Sequence, residues 1–317
     1  MYRIAEMKKE HISSALALWH HQFVKYCGDG AFPDFWSGGE EVVRSYLLQQ
    51  IKKGNALIAE KDNQLAGFIA WMYFDFHKEA TAFCPIVGHS SLIDGEESIY
   101  RILYTAASRI WVSANRFNHL WMTFFDNIPL KDMLYDIGFG SYVIDACRKV
   151  TPGMISSDCP YRITKATIDD TDILLSFANE TEKYYHDAPI FLKRELFSRD
   201  EIYNIIQKQH AFLAWDGDSL IGIMSFNTNQ GFHYERLTSN QSAYVGGIGG
   251  YIKSEYRGQG IGSRLLQEMI NYCCEVRKSF VHVSFESANP YANMFWPKYF
   301  KPVIRSVRRT INKDANS

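Results

Sequence analysis

The sequence predicts an α/β protein in which one mixed α/β unit occurs twice in tandem. Three pairs of segments carry that prediction, in the same order in each half. "YRIAEMKKEHISSALAL" from Tyr2 is matched by "YRITKATIDDTDILLSF" from Tyr161. "NALIAEKDNQLAGFIAW" from Asn55 is matched by "HAFLAWDGDSLIGIMSF" from His210, and "LWMTFFDNIPLKDMLYDIGF" from Leu120 by "FVHVSFESANPYANMFWPKYF" from Phe280. Self-similarity kept in order over this length marks a duplicated domain. Between the copies, "TPGMISSDCP" at 151–160 has proline, glycine and serine and no periodicity. The expected division is a first domain at 1–150, a linker at 151–160 and a second domain at 161–317.

Each half opens with a short strand, a polar turn and an amphipathic helix. The middle pair reads strand, turn, strand, with Asp62-Asn63 and Gly217-Asp218 at the turns. The order then continues strand, helix, strand, helix, strand. Such a succession gives a mixed sheet with helices on both faces, and a site where neighbouring strands part.

Composition narrows the partners. Of the 317 residues, 46% are hydrophobic, enough for sizeable cores. The net charge of −1 carries no electrostatic footprint for nucleic acid or an anionic membrane. No apolar run approaches the roughly 18 residues of a membrane span. The opening "MYRIAEMKKEH" lacks a signal-peptide core. Six cysteines form no CxxC, so reduced thiols and a cytoplasmic setting are expected. The histidines show no HExxH or similar spacing, so no metal site is expected.

The stretch "YIKSEYRGQGIGSRLLQEM", 251–269, concentrates the functional signal. "AYVGGIGGYIK" (243–253) reads as a strand and "SRLLQEMINYCCEV" (263–276) as a helix whose Leu265, Leu266, Met269, Ile270 and Cys273 share an apolar face. Gly258, Gly260 and Gly262 lie between them, where backbone N–H groups and the positive helix end converge on an incoming anion. Arg257 adds a charged donor. The loop is not a Walker loop, since no GK[ST] follows, and it lacks GxGxxG spacing. In the strand, Gly246, Gly247, Gly249 and Gly250 signal either a bulge or the close approach of a ligand.

These residues resemble the pyrophosphate loop of GNAT-superfamily acyltransferases, R/Q-x-x-G-x-G/A, written here Arg257-Gly258-Gln259-Gly260-Ile261-Gly262. The family's N-x-x-A-x-x-[LF] is matched by Asn289, Ala292 and Phe295. The resemblance implies two tandem GNAT-like domains, the first degenerate, each a mixed, mostly antiparallel sheet flanked by helices. It implies acetyl coenzyme A as cofactor, held by Tyr251, Ile252, Lys253, Arg257, Gly258, Gln259, Gly260, Ile261, Gly262, Ser263, Asn289, Ala292, Phe295 and Trp296. The activity implied is acyl transfer, most simply of acetyl, to an amine of a small molecule or peptide by direct attack on the thioester. A monomer or homodimer without nucleic-acid or membrane partners is expected.

The match has departures. Trp296 stands where the family usually has the tyrosine that protonates the leaving thiolate, and Tyr299-Phe300 replaces the usual Gly-Phe. Tyr299 shares the face of Ala292 and Trp296 if the helix lasts that long, so it is the expected acid, with Tyr291 or water as alternatives. For the base, Glu286 is preferred over Glu180, Glu182 and Glu235. The cluster Tyr184, Tyr185, His186 and Asp187 suits a small cationic amine. The missing tyrosine also admits a non-catalytic acyl coenzyme A sensor. A third reading is transfer of a bulkier acyl or aminoacyl group. In the first half, "IDGEESI" (93–99) replaces "YRGQGIG": Glu97 stands for Gly260 and Ile99 for Gly262. With Asp94, Glu96 and Glu97 facing the phosphate position, that copy is expected to bind no coenzyme A.

Overall fold

A computed structural model of the chain describes residues 2–27, 35–153 and 158–316. Its contacts divide the chain into two compact units. One comprises residues 1–146, 232–239 and 300–317; the other comprises 147–231 and 240–299. Residues 154–157 of the expected linker lie outside the described residues.

The first unit runs β1 (Arg3–Glu6), α1 (Ile12–Cys27), α2 (Trp36–Lys53), β2 (Ala56–Lys61), β3 (Gln64–Ala70), β4 (Met72–Phe76), β5 (Glu79–Cys84), β6 (His89–Ser91), α3 (Glu96–Ser113), β7 (Asn118–Phe124) and α4 (Ile128–Asp136), then β8 (Gly140–Lys149). Asp62 and Asn63 take φ of 52° and 60°, the doubly left-handed turn that joins β2 to β3 as expected. The strands β1, β2, β3 and β6 form an antiparallel sheet, while β5 pairs in parallel with β7. Its core gathers Ile99, Tyr100, Leu103 and Trp111 of α3 with Trp71 and Trp121.

The second unit repeats the opening order: β9 (Arg162–Lys165), α5 (Thr171–His186), α6 (Arg199–Lys208), β10 (His210–Asp216), β11 (Ser219–Asn227), β12 (Ser242–Ile252), α7 (Ile261–Glu275), β13 (Phe280–Glu286) and α8 (Pro290–Phe295). Its sheet order is β13-β12-β11-β10-β9, parallel only between β12 and β13. Helix α7 packs on β10, β11 and β12. Gly222 lies under this packing: a Cβ there would meet Ile252 Cδ1 of β12 at 2.6 Å and Ile261 Cγ2 of α7 at 3.3 Å. The matching Gly67 is equally constrained, by Ile99 Cγ2 at 2.6 Å.

The division differs from that read in the sequence. The final strand, β14 (Lys301–Thr310), pairs antiparallel with β7 from Ile304↔Phe124 to Thr310↔Asn118. It therefore closes the sheet of the first unit, although its sequence belongs to the second repeat. Local pattern specifies that a segment is a strand; the partner it pairs with is chosen by long-range packing.

Candidate active site

The site is built where β12 leaves its neighbours. Strands β12 and β13 are paired only from Ser242↔Phe280 to Val245↔Val283. Beyond that point β12 continues alone on this edge to Ile252. On its other edge the ladder with β11 jumps from Phe226↔Val245 to Met224↔Gly250, leaving 246–249 as a bulge opposite Ser225. The Ser225 hydroxyl staples the bulge: it donates to the Gly246 carbonyl at 2.6 Å and accepts from the Gly249 N–H at 2.8 Å. Gly247 and Gly249 hold φ of 75° and 82°, a region costly for any side chain. The bulge uses Gly247 and Gly249, whereas Gly250 lines a cavity beside Trp296 and Met224.

The loop after β12 explains the three glycines of 258–262. Gly258 and Gly260 take φ of 81° and 78°, and Gly260 caps α7. Gly262 is helical, and a Cβ on it would stand 3.1 Å from the Phe295 ring. Two glycines therefore serve backbone conformation and one serves close packing. The first turn of a helix has N–H groups without intrahelical acceptors, and here Ile261, Gly262 and Ser263 face a cavity of about 650 Å³. No side chain crowds the backbone at Gly258, where an added Cβ would have nothing within 4 Å. An anionic group fits such a cradle.

Arg257 donates from Nε to the Ile252 carbonyl at 3.1 Å. Its guanidinium lies over the rings of Tyr291, Tyr184 and Tyr251 at 4.1, 5.1 and 5.6 Å. Burial pushes the Tyr184 and Tyr251 phenols up, and the Arg257 charge pulls them partly back. Both stay protonated at neutral pH. Asn289 caps α8: its Oδ1 accepts from the Ala292 N–H at 3.2 Å and from the Tyr184 hydroxyl at 3.1 Å.

Of the residues expected at the cofactor, Tyr251, Ile252, Arg257, Gly258, Gly260, Ile261, Gly262, Ser263, Asn289, Ala292, Phe295 and Trp296 line this cavity. Lys253 and Gln259 do not. Lys253 stands over the Phe177 ring, and Gln259 accepts a hydrogen bond from the Tyr161 hydroxyl at 2.7 Å. Tyr299 lines the cavity but is not on α8. That helix ends at Phe295, and Pro297, which lacks an N–H, leaves only a 3₁₀ turn before Tyr299. Its hydroxyl pairs with Ser263 Oγ at 2.7 Å, beside the first turn of α7. Tyr299→Phe is therefore expected to lower kcat/KM less than tenfold, the scale of one neutral hydrogen bond. A loss of a hundredfold in kcat alone would instead make Tyr299 the acid.

Glu286 is absent from the cavity wall and is ion-paired with Arg194, whose other carboxylate neighbour is Glu182 at 3.7 Å. Arg194 lies 3.6 Å above the Tyr185 ring, which does line the cavity. Glu180 is exposed, and Glu235 belongs to the 232–239 segment of the first unit. Arg194 and Ser225 had not been singled out from sequence. Ser225 did leave a trace, as the one polar residue in the buried run "LIGIMSF".

The counterpart loop of the first unit has been rebuilt as helix. Gly95, φ 79°, caps α3, so the helix starts at Glu96 and takes in residues that are loop in the other half. Glu96, expected to face the phosphate position, is instead turned inward and 2% exposed. Its oxygens accept from Gln22 Nε2 at 2.8 Å, Asn127 Nδ2 at 2.6 Å and the Tyr26 hydroxyl at 2.8 Å. Glu97 is exposed and pairs with Arg101. An inward carboxylate thus occupies the α3 N-terminus, and its negative charge suits the helix dipole.

A parted parallel pair beside a glycine-capped helix defines an α/β fold of the GNAT class. Residues 175–300 match the family model described as the acetyltransferase (GNAT) family. Among solved structures, the chain is similar to a GCN5-related N-acetyltransferase from Sphaerobacter thermophilus, at 12% identity and TM-score 0.59, over 98% of this chain and 96% of that one. It is also similar to a GCN5-related glucosamine N-acetyltransferase region of a fungal multi-domain GH3 β-N-acetylglucosaminidase, at 10% identity and TM-score 0.55, over 98% of this chain and 38% of that one. At such identities the likeness is one of fold. No curated protein sequence matches the chain. Among the described residues no helix is long and apolar enough to cross a membrane, and no group of three or more potential metal ligands occurs.

Proposed function

We propose that the second half of the chain is a coenzyme A-dependent N-acyltransferase, most simply an acetyltransferase, acting on an amine of a small molecule or peptide. The observation that supports it is one cavity lined both by the parted strand β12 and by the glycine-capped N-terminus of α7. Arg257 and the 258–263 backbone would hold the pyrophosphate, with Tyr251 and Asn289 along the pantetheine. Bound acetyl coenzyme A supplies an activated acyl carbon. The chain's own part is to place the acceptor against β12, exclude water and accept the proton that the acceptor must lose. The first half is a degenerate copy that serves as scaffold in a cytoplasmic protein.

Trp296 favours a second reading. It is buried against Gly250 at the position where the family usually has the tyrosine acid, as in a sensor that binds acyl coenzyme A without turnover. Calorimetric titration of the full chain with acetyl coenzyme A should give one site per chain, since Glu96 fills the α3 terminus of the first unit. Two sites, or none, would refute the assignment. Thiol release with an amine panel then separates enzyme from sensor.

A further inference from the structure

We propose that Trp296 and Met224 set the length of acyl group that this chain accepts, so that an acetyl thioester of coenzyme A fits and longer acyl chains are turned away. The proposal rests on the reading of the cavity as a site for acyl coenzyme A; it concerns binding, so it holds for an enzyme and for a sensor alike. The cavity wall divides by chemistry. Arg257 and the first turn of α7 offer a charge and backbone N–H groups, whereas Ile223, Met224, Gly250 and Trp296 offer apolar surface and bare backbone. The acyl tail is the uncharged, apolar terminus of such a thioester, so it belongs with the second set.

Gly250 gives the dimensions of that space. Unlike Gly247 and Gly249, it does not take a positive φ, so backbone conformation does not demand glycine there. It pairs directly with Met224 across β11 and β12, which puts the two on one face of the sheet. A Cβ on Gly250 would stand 3.4 Å from Trp296 Cζ2, 3.7 Å from Trp296 Cη2 and 3.7 Å from Met224 Cε. These are contact distances for apolar carbon. The absent side chain therefore leaves room for one methyl carbon, and a longer chain must displace the indole or the thioether. Both walls are held. Trp296 is 6% exposed and Met224 2%. The indole stands edge-on to Phe295, ring centroids 4.9 Å apart, and Phe295 is itself seated on Gly262 of α7. Pro297 follows at once and restricts the backbone. Forcing extra methylenes into packed surroundings is unfavourable.

The test is a calorimetric titration of the full chain with coenzyme A and with its acetyl, butyryl and hexanoyl thioesters, each variant checked for native circular dichroism. Wild type is expected to bind the acetyl thioester at least about tenfold more tightly than the butyryl and hexanoyl thioesters, the scale of a misfitted methylene. Trp296→Ala removes the indole, and that preference should vanish. Trp296→Phe should weaken it, and carries the test if the alanine variant does not fold. Gly250→Ala fills the space, and should lower the affinity for acetyl coenzyme A relative to coenzyme A by about tenfold. Equal binding of the thioesters by wild type, a length preference kept intact in every folded Trp296 variant, or an unchanged ratio in Gly250→Ala overturns the length limit and leaves the coenzyme A site standing. Failure of wild type to bind coenzyme A or any thioester removes the site, and the limit with it.

Discussion

Gly260→Glu is expected to weaken acetyl coenzyme A binding at least a hundredfold in a chain that remains folded. Two effects add. Gly260 holds φ 78°, where any side chain costs about 1–2 kcal/mol. The new carboxylate would also stand at the α7 N-terminus, facing the proposed site of the pyrophosphate. Like unit charges a few Å apart repel by ~4 kcal/mol at an effective dielectric of 20. The charge effect is the larger one and alone exceeds the ~2.7 kcal/mol of a hundredfold change. The backbone strain is small against the roughly 5–15 kcal/mol of domain stability, so folding survives. Gly260→Ala carries strain without charge and should lose about tenfold. Calorimetry showing wild-type affinity in folded Gly260→Glu would remove the loop from the binding site.

Glu96→Ala is expected to destabilise the first unit by about 3 kcal/mol. The substitution strips an acceptor from Gln22, Tyr26 and Asn127 at once, and each buried donor left unmet costs roughly 1–3 kcal/mol. Removal of a costly buried charge offsets part of this. The melting temperature should fall by roughly 6–12 °C for a unit of this size. Glu96→Gln keeps the shape and should lose far less. The pH dependence separates the two contributions. Burial, the largest influence, raises the Glu96 carboxyl above its unfolded value. Its contribution to stability is then full below the ordinary carboxylate range and declines as pH rises through the raised value. That decline should be absent in Glu96→Gln. A melt of Glu96→Ala within a degree of wild type would show that the network carries no stability.

Much of this was legible in the residues, because the relevant signals are local. The Asp62-Asn63 turn, the α7 face and the positive-φ glycines are each determined within a few positions of chain. Most of the cavity wall follows from them, since a strand end and a helix start adjoin in sequence. What was missed depends on contacts far apart. Glu96 read as one of three acids facing the phosphate position, because its three donors come from residues 22, 26 and 127. Tyr299 was placed on a helix that Pro297 does not allow to continue. Glu286 read as a free carboxylate, while its partner Arg194 comes from an irregular segment that no periodicity marks.

The pairing of β14 with β7 has a consequence for how the chain is made. Strand β7 leaves the ribosome long before β14, and all of the second unit is synthesised in between. The sheet of the first unit therefore waits with one edge of β7 open until its distant partner arrives. An open edge is where another chain can add a strand, and such non-local pairing closes slowly. During synthesis, protection of that edge falls to whatever covers it in the cell, so the demand for a holding chaperone should centre on residues 118–124.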